Sequence, residues 1–212
     1  MKVLTAKMVT ESLDWYKNTG DDYVKYDGKH LHYIHPEAAQ FTVDIPDEVE
    51  RLPFFAKCLA TLAYEEKHFL GAKIWVTDAG IWDEYLEGIG YQILEAINIA
   101  EGQPMSFWEA RGYDFRADEL VKTLGVLIQP MVFGWDAYYL PRGCSEYFLQ
   151  VSHHSCVDVH TRTKQFHDKA IKQLVACKFD LLVGRDQMVS RYLSKSDLTA
   201  LGKSEPDPSA TP

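Results

Sequence analysis

No stretch of this chain approaches the roughly 20 consecutive apolar residues that cross a bilayer. Met1 to Thr10 also lacks the cationic start, long apolar run and small-residue cleavage site of a secretory leader. A membrane role is therefore not expected, and the cytoplasm is the expected compartment. Basic clusters are missing as well: 22 Lys and Arg stand against 31 Asp and Glu, for a formal net charge of −9. Neutralising phosphates needs a concentrated positive face, so nucleic acid is not an expected partner. Cysteine is sparse. Cys58, Cys144, Cys156 and Cys177 stand at wide, unpatterned intervals, which excludes paired Cys-x-x-Cys zinc knuckles and reads as reduced thiols rather than a disulfide framework. A Ser nucleophile elbow, a phosphate-binding glycine loop, a His-Glu-x-x-His helix and repeats at solenoid or propeller periods are all absent. Gly88-Ile89-Gly90 lacks the third glycine of a dinucleotide fingerprint and follows no strand. No cofactor is expected.

What the chain does have is apolar material, 46% of its residues, enough for one sizeable core. The expected organisation is one domain over residues 1–193 and a disordered tail over 194–212, where the sequence turns polar and Pro-rich. Thr10 reads as the cap of a short helix through Glu11 to Lys17. Tyr23 to Tyr26 and Lys29 to Ile34 are rich in β-formers and flank Asp27-Gly28, the pair best suited to a type I′ turn, so a hairpin is predicted there. Gln40 to Ile45 adds a strand. Behind Pro53, the residues Phe55, Cys58, Leu59 and Leu62 fall at helical spacing. A strand over Ala72 to Thr77 precedes a long helix from about Ile81 to Glu101, with Trp82, Tyr85, Leu86, Ile89, Ile93, Ile97 and Ala100 as its buried stripe. Gly88 and Gly90 within it call for close packing as compensation.

Phe107-Trp108 and Tyr113-Asp114-Phe115 fall in an irregular connection, and a helix over Ala117 to Gln129 is closed by Pro130. A central hairpin then runs from Met131 to Ser152, turning at Pro141-Arg142-Gly143-Cys144. Thr161 caps a last helix carrying Phe166, Ala170, Leu174, Cys177 and Leu181 at steps of three and four. Tight turns between strands dominate, and the regular strand-helix alternation of a doubly wound sheet is missing. The predicted fold is α+β, a mostly antiparallel sheet with helices packed on it.

Histidine supplies the first candidate site. His30, His32 and His35 come near the H-x-H-x-D-H ligand pattern of metallo-β-lactamase-like hydrolases, but Ile34 stands where that pattern needs Asp. On a two-residue turn Lys25 also faces His30, placing a cation across from the ligand position, so a solvated hairpin face is the reading. Glu65 and His68 lack the second Glu-x-x-His that a carboxylate-bridged di-iron site requires. No metal ligand set is assigned.

The segment after the central hairpin is richer. If extension continues past Ser152, His154, Cys156, Asp158 and His160 share one side, opposite Ser155, Val157 and Val159. Consecutive members of that face are about 6.6–6.8 Å apart, so any two can grip one ion but all four cannot. Asp136, between Trp135 and Ala137, is a carboxylate in an apolar strand and pairs naturally with His153 or His154 as an acid and base. A four-residue loop puts Asp136 opposite Leu149, on one face with Tyr138, Tyr147 and His153. Trp108, Tyr113, Trp135, Tyr138 and Tyr147 are the candidate ligand-binding aromatics, with core packing as the plain alternative. The expected function is binding, of a protein partner through an acidic, aromatic-bearing surface or of a small molecule between sheet and helices. The alternative is a metal-dependent or general acid/base hydrolase using Asp136, His154, Cys156, Asp158 and His160.

Overall fold

One row of side chains runs across seven strands: Val3, Tyr113, Ile74, Tyr139, Leu149, Val159 and Phe41 are successive partners in register, and all seven are buried. In the computed structural model, which describes residues 1–12, 24–26, 30–63, 68–79 and 84–182, this row belongs to an antiparallel sheet. Its strands are β1 (Lys2–Thr5), β4 (Ala39–Asp44), β5 (Gly71–Asp78), β6 (Ala110–Arg116), β7 (Asp136–Pro141), β8 (Tyr147–Ser152) and β9 (Cys156–Thr161). They lie in the order β1-β6-β5-β7-β8-β9-β4. A separate hairpin pairs β2 (Val24–Tyr26) with β3 (Leu31–Tyr33). The helices are α1 (Ala6–Ser12), α2 (Leu52–Ala60), α3 (Glu84–Ala100), α4 (Leu120–Phe133) and α5 (Lys164–Ala176). The chain is a single α+β domain, as its turn-linked strands predict.

The two faces of the sheet are covered differently because side chains alternate along each strand. Helices α2, α4 and α5 close the face that carries the buried row. Two tyrosines tie α2 to it. Tyr139 Oη donates to Ala60 O at 2.9 Å, and Tyr147 Oη donates to Ala60 O at 2.9 Å and Leu59 O at 3.1 Å, satisfying carbonyls that the helix end leaves without intrahelical partners. On the other face, Leu4, Gly112, Trp75, Tyr138, Gln150, Asp158 and Thr42 form the neighbouring row. Its apolar part is covered by Val9 of α1 and by the small hairpin, through Leu31, Tyr26 against Trp75 (5.2 Å between centroids) and Tyr33 against Phe148 (5.1 Å).

Several elements differ from the sequence reading. The predicted cap Thr10 lies inside α1, donating back to Lys7 O, while Thr5 accepts from Met8 N; residues 13–23 lie outside the described residues. The connection after α3 contains a strand, β6, placed between β1 and β5. Gly112 there is what lets α1 approach, since a Cβ would sit 2.1 Å from Val9 Cγ2. Helix α4 continues through Pro130 to Phe133, so Met131 to Phe133 are helical rather than strand. The true stop is Gly134 in the left-handed region (φ +63°), with Trp135 N donating to Pro130 O at 3.0 Å. The small hairpin pairs Tyr26 with Leu31 and Lys25 with His32. That shift of two residues from the predicted pairing is even, so the paired positions keep their predicted alternation. The proposed turn residues Asp27 and Gly28 lie outside the described residues, as does the tail over 194–212.

Helix α3 buries a different face from the one predicted. Gly90, Leu94 and Asn98 are inward, while Ile89 and Ile93 are exposed. Trp82, Tyr85 and Leu86 of the predicted stripe lie outside the described side chains. The two helix glycines separate cleanly. A Cβ at Gly90 would lie 2.7 Å from Trp135 Cη2 and 2.8 Å from Phe133 Cδ2, so Gly90 is the seat of an aromatic ring; at Gly88 it would meet nothing within 4 Å. Gly88→Ala should therefore stabilise the protein by about 1 kcal/mol, the helix-propensity gain, whereas Gly90→Ala should destabilise it by about 1–3 kcal/mol through overpacking. Urea midpoints of the two variants must move in opposite directions; two stabilising substitutions would refute the seating of Trp135.

Candidate functional site

The hairpin that carries the candidate residues has a five-residue connection, Arg142 to Glu146, rather than four. Tyr138 therefore pairs with Gln150 and Tyr139 with Leu149. Relative to the predicted register this is an odd slip, which exchanges faces. Tyr147 lies with Tyr139 on the helix-covered face, while Tyr138 lies with Phe148 under the small hairpin.

Past Ser152 the chain turns instead of extending. His153, His154 and Ser155 form a three-residue connection, and Ser155 takes φ +59°, the left-handed residue that such a loop needs before the return strand. Asp136 anchors this turn. Its Oδ1 accepts from His153 N at 2.8 Å and lies 2.9 Å from His153 Nδ1. The carboxylate in an apolar strand thus finds its partner in His153, one of the two histidines anticipated. His154 is exposed at the tip, its ring centroid 4.0 Å from that of His153.

On β9 the alternation holds. Cys156, Asp158 and His160 share the face opposite Val157 and Val159. Each has a separate neighbourhood. Cys156 is buried and paired in register with Ser152 and Asp44. Asp158 Oδ1 accepts from Thr42 Oγ1 at 2.6 Å. His160 stacks on Phe148 (4.4 Å between centroids, 10° between planes), and its Nε2 is enclosed without a hydrogen-bond partner among the described residues. Burial, and secondarily the charges of His30 and His32 on the small hairpin, push the His160 imidazole down to about 3. So the structure brings together Asp136 and His153, and spaces Cys156, Asp158 and His160 along a strand with different partners. Among the described residues, no group of three His, Cys, Asp or Glu side chains is arranged to hold a metal ion.

The candidate aromatics divide in another way. Tyr113, Trp135, Tyr138 and Tyr147 are buried. Trp135 is the hub of a cluster, with Tyr91, Phe107 and Phe133 each 5.3 Å from it between centroids. Burial pushes the Tyr113 phenol well up, against a smaller opposing contribution from Asn98. Trp108 alone of the five is exposed, its ring tilted 55° against that of Tyr91 at 5.2 Å and lying under the Arg111 guanidinium at 5.3 Å. Compared with known protein families, with curated proteins and with solved structures, the chain has no match. No helix among the described residues is long and apolar enough to cross a membrane.

A further surface, outside the candidate residues of the sequence, lies on α3 and α4. The outward face of α3 carries Ile89, Ile93, Ala96 and Ala100, all exposed and spaced at four, three and four residues. The outward face of the adjoining α4 carries Val121, Gly125, Ile128 and Val132 at the same spacing, with Val121 84% and Val132 50% exposed. The sequence signal was there: α3 has apolar residues on more than one face, so whichever stripe faces the core, another must face away from it.

Proposed function

We propose that this protein binds a protein partner through the outer faces of α3 and the adjoining α4. The observation that supports this most strongly is the apolar outer face of α3, whose inward face already packs in the core through Leu94 and Ile97. Single exposed apolar residues are ordinary, whereas a contiguous group marks an interaction site. Here four of the eleven exposed large apolar side chains among the described residues, Ile89, Ile93, Val121 and Val132, lie on these two faces. From 84 to 101 the chain carries Glu84, Glu87, Glu95 and Glu101 and no Lys or Arg, while Glu101 is paired with Lys122 of α4. A partner presenting an apolar stripe is complementary to these faces.

The alternative reading, acid/base hydrolysis, draws support from the contact of Asp136 with His153, although the same carboxylate oxygen also holds the His153 amide. Affinity capture from native extract distinguishes the two. The wild-type chain should retain one stoichiometric partner, and the double variant Ile89→Asp, Ile93→Asp should retain at least about tenfold less of it, a loss of about 1.4 kcal/mol. Both side chains are exposed, so the thermal midpoint should stay within about 2 °C. A bare monomer from the wild-type chain, or equal capture by the variant, would overturn the reading. A homodimer dispersed by the variant would identify a second copy as the partner.

A further inference from the structure

All four cysteines are free thiols, yet two of them meet. Cys58 on α2 and Cys177 at the C-terminal cap of α5 stand 119 residues apart in sequence, with their Sγ atoms 3.6 Å apart. The surrounding structure holds them there. Helix α5 ends in a Schellman turn: Lys178 takes φ +61°, Lys178 N donates to Val175 O at 2.9 Å, and Phe179 N donates to Leu174 O at 3.1 Å. The turn is clamped onto α2 by the Phe179 ring, 4.8 Å from Phe55 and 5.7 Å from Phe54, and by Arg51, which donates to Lys178 O at 2.9 Å. Beyond it, the chain pairs with the open edge of β4: Asp44 N donates to Asp180 O at 2.9 Å and Leu182 N to Thr42 O at 3.0 Å, with Leu181 bridging Val43.

We propose that Cys58 and Cys177 are a dithiol–disulfide couple that, when oxidised by a small-molecule disulfide such as oxidised glutathione, locks the turn after α5 and its edge-strand segment onto α2. Closing the bond requires the sulfurs to approach from 3.6 Å to about 2.05 Å. The order of events follows from the environment of each thiol. Cys58 is 7% exposed, and burial followed by its contact with Cys177 pushes its thiol up to about 12, so it is a poor first nucleophile. Cys177 is half-buried and meets the oxidant. Its thiolate attacks one sulfur of oxidised glutathione, forming a mixed disulfide and releasing one glutathione thiolate. Cys58 then loses its proton and attacks Cys177 Sγ, expelling the second glutathione thiolate. Two protein thiols become one disulfide, one glutathione disulfide becomes two thiolates, and the two protons neutralise them at lower pH.

The test uses the reduced full-length chain incubated with oxidised glutathione, then alkylated under denaturing conditions and analysed by mass spectrometry. The expected product is about 2 Da lighter before alkylation. It should take two labels where the reduced chain takes four, and yield one linked peptide pair joining Cys58 to Cys177. Its thermal midpoint should rise by about 5–15 °C, because the bond closes a very long loop in the unfolded chain, and dithiothreitol should reverse the rise. Cys58→Ser should stop the reaction at a glutathione adduct on Cys177, and Cys177→Ser should leave Cys58 unmodified. Circular dichroism of the reduced serine variants checks that they remain folded. Four labels after oxidation, a stable glutathione adduct on the wild-type chain, or a link involving Cys144 or Cys156 would each overturn the proposal.

Discussion

Replacing Gly71 by alanine, a change of one methyl group, should destabilise the protein by about 3 kcal/mol or more, lowering its thermal midpoint by about 6–12 °C for a domain of this size. Gly71 opens β5 at φ +103°, where an L side chain is strained, and its Cβ would lie 2.3 Å from Phe115 O of β6. That oxygen belongs to the backbone of a paired strand and has nowhere to go, since Gly71 is in register with Arg116 and Arg142 N donates to Gly71 O at 2.9 Å. Relief requires opening the β5–β6 ladder at its end. Gly102 supplies the control. It too has a positive φ, +71°, but a Cβ there meets nothing within 4 Å, so Gly102→Ala should cost only about 1 kcal/mol. Chemical denaturation of the two variants separates backbone strain from collision; equal losses would sink the argument.

The second large effect is acid lability. His160 is neutral in the folded protein with its imidazole pushed down to about 3, against an ordinary value of 6.5 in the unfolded chain. Between those values the unfolded state binds one more proton than the folded state, so the stability His160 contributes is intact above 6.5 and drains away as pH falls towards 3. Each pH unit is worth about 1.4 kcal/mol, and roughly 2–3 kcal/mol should be lost between pH 6.5 and 4.5. His167, also pushed down by burial, acts in the same direction. His160→Leu removes one titration and should leave a chain whose stability relative to wild type improves by about 2 kcal/mol over that interval. A wild-type-minus-variant difference that stays flat from pH 7 to 4.5 would show that His160 takes up its proton without cost.

Which parts of this structure the sequence could reveal depended on whether local chemistry had a tertiary rival. The β-formers of β2 and β3 and the alternation of Val157 and Val159 are local signals, and both the pairing of those two strands and the face of β9 follow them. Pro130 is where local chemistry lost: a missing amide near a helix end costs little when the next turn packs and Gly134 terminates it four residues later. The β6 segment was obscured because Gly112 and Asp114 are poor strand formers, and only their neighbours explain them, Val9 above Gly112 and Arg142 bonded to Asp114. For the candidate site, the oddity of Asp136 was readable, but its resolution as a turn anchor needed the length of two loops. Periodicity in α3 pointed to the stripe through Ile89 and Ile93, and the core took the side of Gly90 and Leu94, because apolar residues stand on more than one face of that helix.

The segment after α5 has a consequence that reaches beyond the cysteines. Among the described residues β1 and β4 are the edge strands of the seven-stranded sheet, and each turns one side of its backbone away from the strand ladder. Such an edge accepts any extended peptide whatever its side chains, which makes it a template for strand-by-strand growth between molecules. Asp180 to Leu182 consume the Asp44 amide and the Thr42 carbonyl on β4. With Leu181 buried in the core as its anchor, this short segment takes from neighbouring chains the ladder positions on which intermolecular pairing would begin.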